Sequence, residues 1–257
     1  VHQVHPFINI WDDHEIANNA HITGGQNHNE GEGDYLDRKA AAKKAFYEWL
    51  PIRDNDNHYR KFQFGEMATV MMLDERLEGR TPPVESSESP TFNDEDREML
   101  GKEQFDWLIG GLKSATTSWN IIGSQVIFSD WVIEPLGYGQ RLNMDAWDGY
   151  PAARERVLRD IANANADLVV LTGDSHNGWA FNLDVDDTPV GVELAGHSVT
   201  SPGFESFFPG AKPDIISKAL RATNDQLHWA NTDSRGYMTV SLTPDSASST
   251  WHFLDTI

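Results

Sequence analysis

"DLVVLTGDSHNGW", residues 167–179, is the stretch on which the architecture turns. Residues 168–171 form a short apolar run rich in β-branched side chains, of the length and bounding that suit a strand buried on both faces. The run stops at Gly173, Asp174 and His176. Upstream, "DAWDGYPAARERVLRDIANANA", residues 145–166, reads as a loop followed by a helix opened by Pro151 in its first turn. A helix feeding an apolar strand that ends in polar residues is the unit of a layered α/β domain. In such folds ligands gather beyond the carboxyl ends of the strands.

The same pattern recurs twice. "WDDHEIANN", residues 11–19, follows residues 4–11, which read as a β-branched and aromatic strand, and "DERLEGR", residues 74–80, follows the apolar residues 68–73. Three polar clusters behind three strands make one shared site the economical reading. Between them, Asp34 is placed to cap a helix that stops near Pro51. Residues 59–64 and 68–73 predict two strands joined at Gly65. The Pro-, Ser-, Thr- and Glu-rich residues 80–93 predict an exposed loop. Phe105, Leu108, Ile109 and Leu112 share one helical face. "TSWNIIGSQVIFSDW" is strand-like, and the tail, with runs at 190–194, 237–242 and 250–254, is richer in antiparallel strand signals. Trp11, Trp49, Trp107 and Trp179 lie in apolar contexts and are expected in the core.

Composition narrows the function. The 257 residues are 39% hydrophobic and include nine tryptophans, so a packed core is affordable. A formal charge of −20 excludes a broad nucleic-acid surface or an anionic-membrane footprint, which need clustered Lys and Arg. No cysteine is present, which rules out disulfides, thiolate metal sites and cysteine nucleophiles in these residues. No apolar run reaches membrane-spanning length. There is no G-x-S-x-G elbow, Walker loop or dinucleotide glycine pattern. The acidic residues leave a glycosidase open, and the tryptophans leave open a carbohydrate-binding or purely structural module.

Carboxylate, amide and imidazole groups at strand ends suit Ca²⁺, Mn²⁺, iron or Zn²⁺. Asp12 and Asp13 leave the strand in different directions, so one is expected to bind metal and the other to orient a neighbouring group. His14 is a ligand, or a donor to a phosphate and its leaving oxygen. Asn18 or Asn19 returns a neutral oxygen a turn later. Asp174 and His176 are two apart on one side, with Gly173 permitting a tight backbone path. The bland alternative for each cluster is a turn with a helix cap. Arg76 and Arg80 are placed to hold an anion's outer oxygen, with salt bridges to the abundant carboxylates as the rival fate. His197 follows another apolar run, and residues 21–34 read as a loop rather than a calcium hand.

"INIWDDHEIANN", "FYEWLPIR", "MLDERLEGR", "DAWDGYPAARERVL", "VVLTGDSHNGWAFNL" and "GYMTVSLTP", in this order through nearly the whole chain, resemble the PhoD-type alkaline phosphatases and phosphodiesterases. The resemblance implies a calcineurin-like metallophosphoesterase: an α/β layered sandwich of two mixed sheets flanked by helices. It implies metal-dependent hydrolysis of phosphate esters, outside the cytoplasm (extracellular or periplasmic), with calcium and iron as metals and manganese or zinc as alternatives. "WDDHE" then corresponds to the superfamily's Gly-Asn-His-Glu motif, with Asp13 in the place of a ligating Asn and His14 in that of the phosphate-binding His. "GDSH" corresponds to Gly-His-x-His, which makes Asp174 and His176 ligands. Asn19 is a further expected ligand and Asp12 an alternative to Asp13. The family's Gly-Asp-x-x-Tyr motif, its cysteine ligand, its secretion signal and its N-terminal β domain are not in these residues. Residues 1–257 are therefore expected to be the C-terminal portion of a single catalytic domain whose N-terminal segment is a partner. The expected substrate is a small phosphate ester. The alternatives are a phosphodiesterase or phosphotriesterase-like enzyme on lipid or nucleotide esters, and an inactive or binding-only fragment.

Overall fold

The computed structural model describes residues 2–53, 57–134, 142–164 and 167–255. Helix α1 (Tyr35–Trp49) starts where Asp34 caps it, the carboxylate accepting from the Leu36 amide at 2.7 Å. Strands β1 (Arg60–Phe64) and β2 (Ala68–Met72) form a hairpin through Gly65, whose φ of +56° suits glycine. Helix α2 (Gly101–Lys113) buries Leu108, Ile109 and Leu112, the face read from the sequence. Strand β3 (Trp119–Gly123), helix α3 (Pro151–Ala164) and strand β4 (Leu168–Thr172) follow. Then come β5 (Gly178–Val185), β6 (Thr188–Ala195), α4 (Pro213–Thr223), β7 (Leu227–Asn231), β8 (Gly236–Thr243) and β9 (Ser246–Phe253).

Seven strands make one mixed sheet in the order β1-β2-β3-β4-β6-β5-β7. Its centre, β2, β3, β4 and β6, is parallel, while β1, β5 and β7 are antiparallel to their neighbours. The register pairs Met72 with Gly123, Gly123 with Leu171, and Thr172 with Ala195, so the carboxyl ends of the central strands lie level. This common edge positions the site.

One face of the sheet carries the main core with α2, α3 and α4, including Met71, Ile122, Val170, Trp147 and Trp179. A fully buried leucine there, such as Leu108, contributes about 1.5–3 kcal/mol by leaving water. The opposite face, with Ala68, Ile121 and Val169, is covered by the hairpin of β8 and β9 through Leu242 and Ala247. The Trp119 indole donates to the Thr243 carbonyl at 2.7 Å, and the Trp251 indole to the Ala195 carbonyl at 2.9 Å. The second layer, among the described residues, is thus an antiparallel pair.

Two readings are corrected. Residues 4–11 are not a strand: they run extended or turned with no ladder partner among the described residues, and Val4 and Phe7 are exposed. Side chains take the place of a ladder, since Arg60 donates to the Asn9 carbonyl and Gln125 Nε2 to the Trp11 carbonyl. Trp49 is 84% exposed, lying past the end of the small core that α1 builds with Trp11, Ile16 and Ala20. Trp11 and Trp179 are buried as expected.

Candidate active site

Trp11 carries the site's first segment into place. Its ring is buried against Phe46, Tyr47 and His58, and its carbonyl is tied to Gln125 beyond the end of β3. Asp12 and Asp13 therefore emerge over the carboxyl ends of the central strands. Asp13 opens a tight turn, its carbonyl accepting from Ile16 and Ala17 and its carboxylate from the amides of His14 (2.8 Å) and Asn19 (3.0 Å).

Asp174 enters from the end of β4. It and His176 hold φ of +60° and +58°, a left-handed conformation uncommon for residues other than glycine and a recurrent mark of functional loops. The unusual backbone lies at the predicted ligands themselves, while Gly173 has ordinary room for a side chain, 3.7 Å from the Gln125 carbonyl.

Carboxylate oxygens of Asp12, Asp13 and Asp174 lie within 4.8 Å of one another, the one such cluster among the described residues. Beneath them the Arg76 guanidinium is fully buried. Its Nε donates to Asp12 Oδ1 at 2.7 Å, its Nη2 to Asp174 Oδ1 at 3.0 Å, and its Nη1 to both oxygens of Asp145 at 3.0 and 2.8 Å. Arg80, also buried, donates to the Asp145 carbonyl and carboxylate and to the Tyr150 hydroxyl. Arg76 thus turns its N–H groups toward protein oxygens, as Arg80 does with Nε and Nη2, while Arg80 Nη1 is buried without a hydrogen-bond partner among the described residues.

Four carboxylates face two guanidiniums, so negative charge is in surplus. Burial, and then the Asp12 carboxylate, push the Asp174 carboxyl well above the usual range, and burial raises Asp12. Asp145 is also buried, yet Arg76 and Arg80 hold its carboxyl below the usual range. An all-oxygen cluster with unneutralised charge fits a hard divalent cation.

His176 stands outside the three-aspartate cluster. Its Nδ1 lies 2.9 Å from the Pro202 carbonyl, which only accepts, so Nδ1 is the donor and Nε2 is the ring nitrogen left to face a ligand. His14 is open to water, with its side chain 75% exposed and Nε2 3.9 Å from Asp13 Oδ2. Asn19 lines a cleft of about 380 Å³ with His21, Pro82, Asn143 and Asp145. His197 bonds Asn231 Oδ1 at 3.3 Å beyond the end of β6.

Asp145 was missed in the sequence. "NMDAW" follows no apolar strand, so the strand-end pattern does not mark it. The signal available was the pair of arginines in "DERLEGR", which demanded buried carboxylates from elsewhere. Glu75, from the same segment, faces inward. It accepts from Ser124 Oγ, the Gln125 and Val126 amides and the Trp147 indole, and burial pushes it up to about 7.

Residues 1–251 match the family described as PhoD-like phosphatase. The chain is 35% identical to alkaline phosphatase D of Bacillus subtilis (strain 168) over 264 residues, covering 95% of this chain and 43% of that protein. A solved structure described as "Structure of PhoD" superposes with a TM-score of 0.77 at 30% identity, covering 96% of this chain and 54% of the other. The chain spans about half the length of the relatives it matches.

Proposed function

This chain belongs to the PhoD-like phosphatase family, and from that premise we propose that it hydrolyses phosphate esters with bound metal ions, as a portion of a single metallophosphoesterase catalytic domain. The observation that carries the reading is the aspartate cluster on the level carboxyl edge of the sheet, with its surplus of negative charge.

Metal ions held there supply Lewis acidity toward phosphoryl oxygens and a water of lowered pKa. Asp12, Asp13 and Asp174 are the oxygen ligands of this proposal. Asn19 adds a neutral oxygen, and His176 adds Nε2, the ring nitrogen that its bond to Pro202 leaves free. A ligating histidine held by a backbone carbonyl is the usual arrangement. The oxygens favour calcium and the imidazole a borderline metal such as iron, manganese or zinc. His14, solvent-facing beside Asp13, donates to the substrate or its leaving oxygen. Arg76 and Arg80 supply fixed positive charge behind the phosphate. The substrate is a small phosphate ester handled in an extracellular or periplasmic setting. No described helix is long and apolar enough to cross a membrane.

The test is elemental analysis of the purified protein by plasma mass spectrometry, with hydrolysis of p-nitrophenyl phosphate and its bis ester. Bound metal and chelator-sensitive turnover are expected, and the faster ester ranks monoesterase against diesterase. Asp174→Asn lowers metal content and turnover together. Wild-type metal content and turnover in both Asp174→Asn and His176→Asn would remove the assignment.

A further inference from the structure

An arginine usually offers the parallel N–H groups of one edge, Nε and Nη2, to the two oxygens of one carboxylate. Arg76 splits that edge between two residues, Asp12 Oδ1 at 2.7 Å and Asp174 Oδ1 at 3.0 Å. It is a rigid planar spacer between two members of the metal cluster, and it takes only Oδ1 of each. What keeps the plane from swinging is its third corner, where Nη1 meets both oxygens of Asp145.

Asp145 is itself fixed. Its amide donates to Asn143 Oδ1 at 3.0 Å, and Arg80 grips its carbonyl at 3.0 Å as well as its carboxylate. Arg80 is in turn bonded to the Tyr150 hydroxyl at 3.2 Å, which donates to the Thr81 carbonyl at 2.7 Å. Asp145, both arginines and Tyr150 are buried. Buried ion networks of this kind seldom outcompete well-packed apolar side chains as a source of stability. A network lying directly under a ligand cluster calls for another role.

We propose that Asp145 is a positioning residue of the metal cluster: by bracing Arg76 it sets the spacing of Asp12 and Asp174 and balances part of their charge before a cation arrives. The proposal rests on the metal-dependent reading given above. Asp145 lies outside the three-carboxylate cluster and meets it through Arg76. It acts through Arg76, and a residue one step removed from a metal commonly governs affinity by 10- to 100-fold.

The experiment is calorimetric titration of Ca²⁺, and separately of Mn²⁺, into the metal-stripped protein and its variants, with circular dichroism as the check of folding. Asp145→Asn loses about 10- to 100-fold in affinity, and Asp145→Glu recovers part of it. Arg76→Lys keeps the buried charge but cannot span two aspartates, and it shows a similar loss. A role confined to holding the fold would instead lower thermal stability and leave affinity intact. Folded Asp145→Asn and Arg76→Lys proteins that bind within threefold of wild type, while Asp174→Asn loses binding, would overturn the proposal. Wild-type binding by Asp174→Asn would overturn the metal reading and this proposal with it. The unaltered protein gives an independent check: the Arg76 Nε–H nitrogen resonance shifts when Ca²⁺ binds, and binding without that shift also overturns the proposal.

Discussion

At the scale of single residues, Glu75 shows how burial and hydrogen bonding set a charge. Oε2 accepts the Gln125 and Val126 amides, and Oε1 meets Ser124 Oγ at 2.7 Å, which also lies 2.8 Å from the Val126 carbonyl. A proton on Oε1 is accommodated by donating to Ser124, whose own proton then serves Val126. Burial moves the group from 4.5 to about 7. The folded state thus keeps a proton that the unfolded chain gives up from pH 4.5 upward. Stability contributed by this group is full below pH 4.5, falls as pH rises and levels off above 7, by a total of about 3 kcal/mol. In urea unfolding, the difference between wild type and Glu75→Gln should shift by that amount across the window. A pH-independent difference would show that Glu75 titrates normally. Asp12, Asp13 and Asp174, which the structure brings together, could be singled out in the sequence because they stand behind apolar runs, whereas His176, singled out in the same way, lies outside that cluster. Asp145 could not, because its role is defined by two arginines that meet it only in the folded chain.

At the scale of elements, regular periodicity was read well and crowded backbone was not. The face of α2, the start of α3 at Pro151, the β1–β2 hairpin and strand β4 follow from spacing and punctuation that are local in sequence. Strand β5, strand β7 and helix α4 escaped notice among short mixed runs, although Ile216 and Leu220, four apart, mark the buried side of α4. The segment bearing Arg76 and Arg80 depends on a contact that no pattern announces. A Cβ at Gly79 would lie 2.1 Å from the Leu100 carbonyl oxygen, at the start of α2. Because the obstacle is backbone, it cannot rotate away. Gly79→Ala should therefore cost about 3 kcal/mol or more, measured by chemical unfolding, and displace both arginines. A loss below about 0.5 kcal/mol would mean that α2 and this segment are free to part.

At the scale of the whole molecule, the α/β class and the gathering of polar clusters at one sheet edge were legible, since parallel strands fed by helices leave their carboxyl ends on the same side. The first cluster reaches that edge differently, on an extended segment tied by Arg60 and Gln125, because residues 4–11 find no ladder partner among the described residues. The second layer was anticipated as a mixed sheet and is, among the described residues, a hairpin held by apolar packing and two indole N–H groups. The Arg76 hub has a consequence in time. Its bonds to Asp12, Asp145 and Asp174 close stretches of 64, 69 and 98 residues, so no local event can assemble them. Contacts of such sequence separation form slowly, after the entropy of long loops has been overcome. Helices and the β1–β2 hairpin should appear early in refolding, while competence to bind a cation returns only with the slowest phase. Stopped-flow refolding followed in parallel by far-ultraviolet circular dichroism and by Mn²⁺ uptake resolves the two, and simultaneous recovery would contradict that order. The cation would then select chains whose distant segments have already met, making its capture a checkpoint on the completed topology.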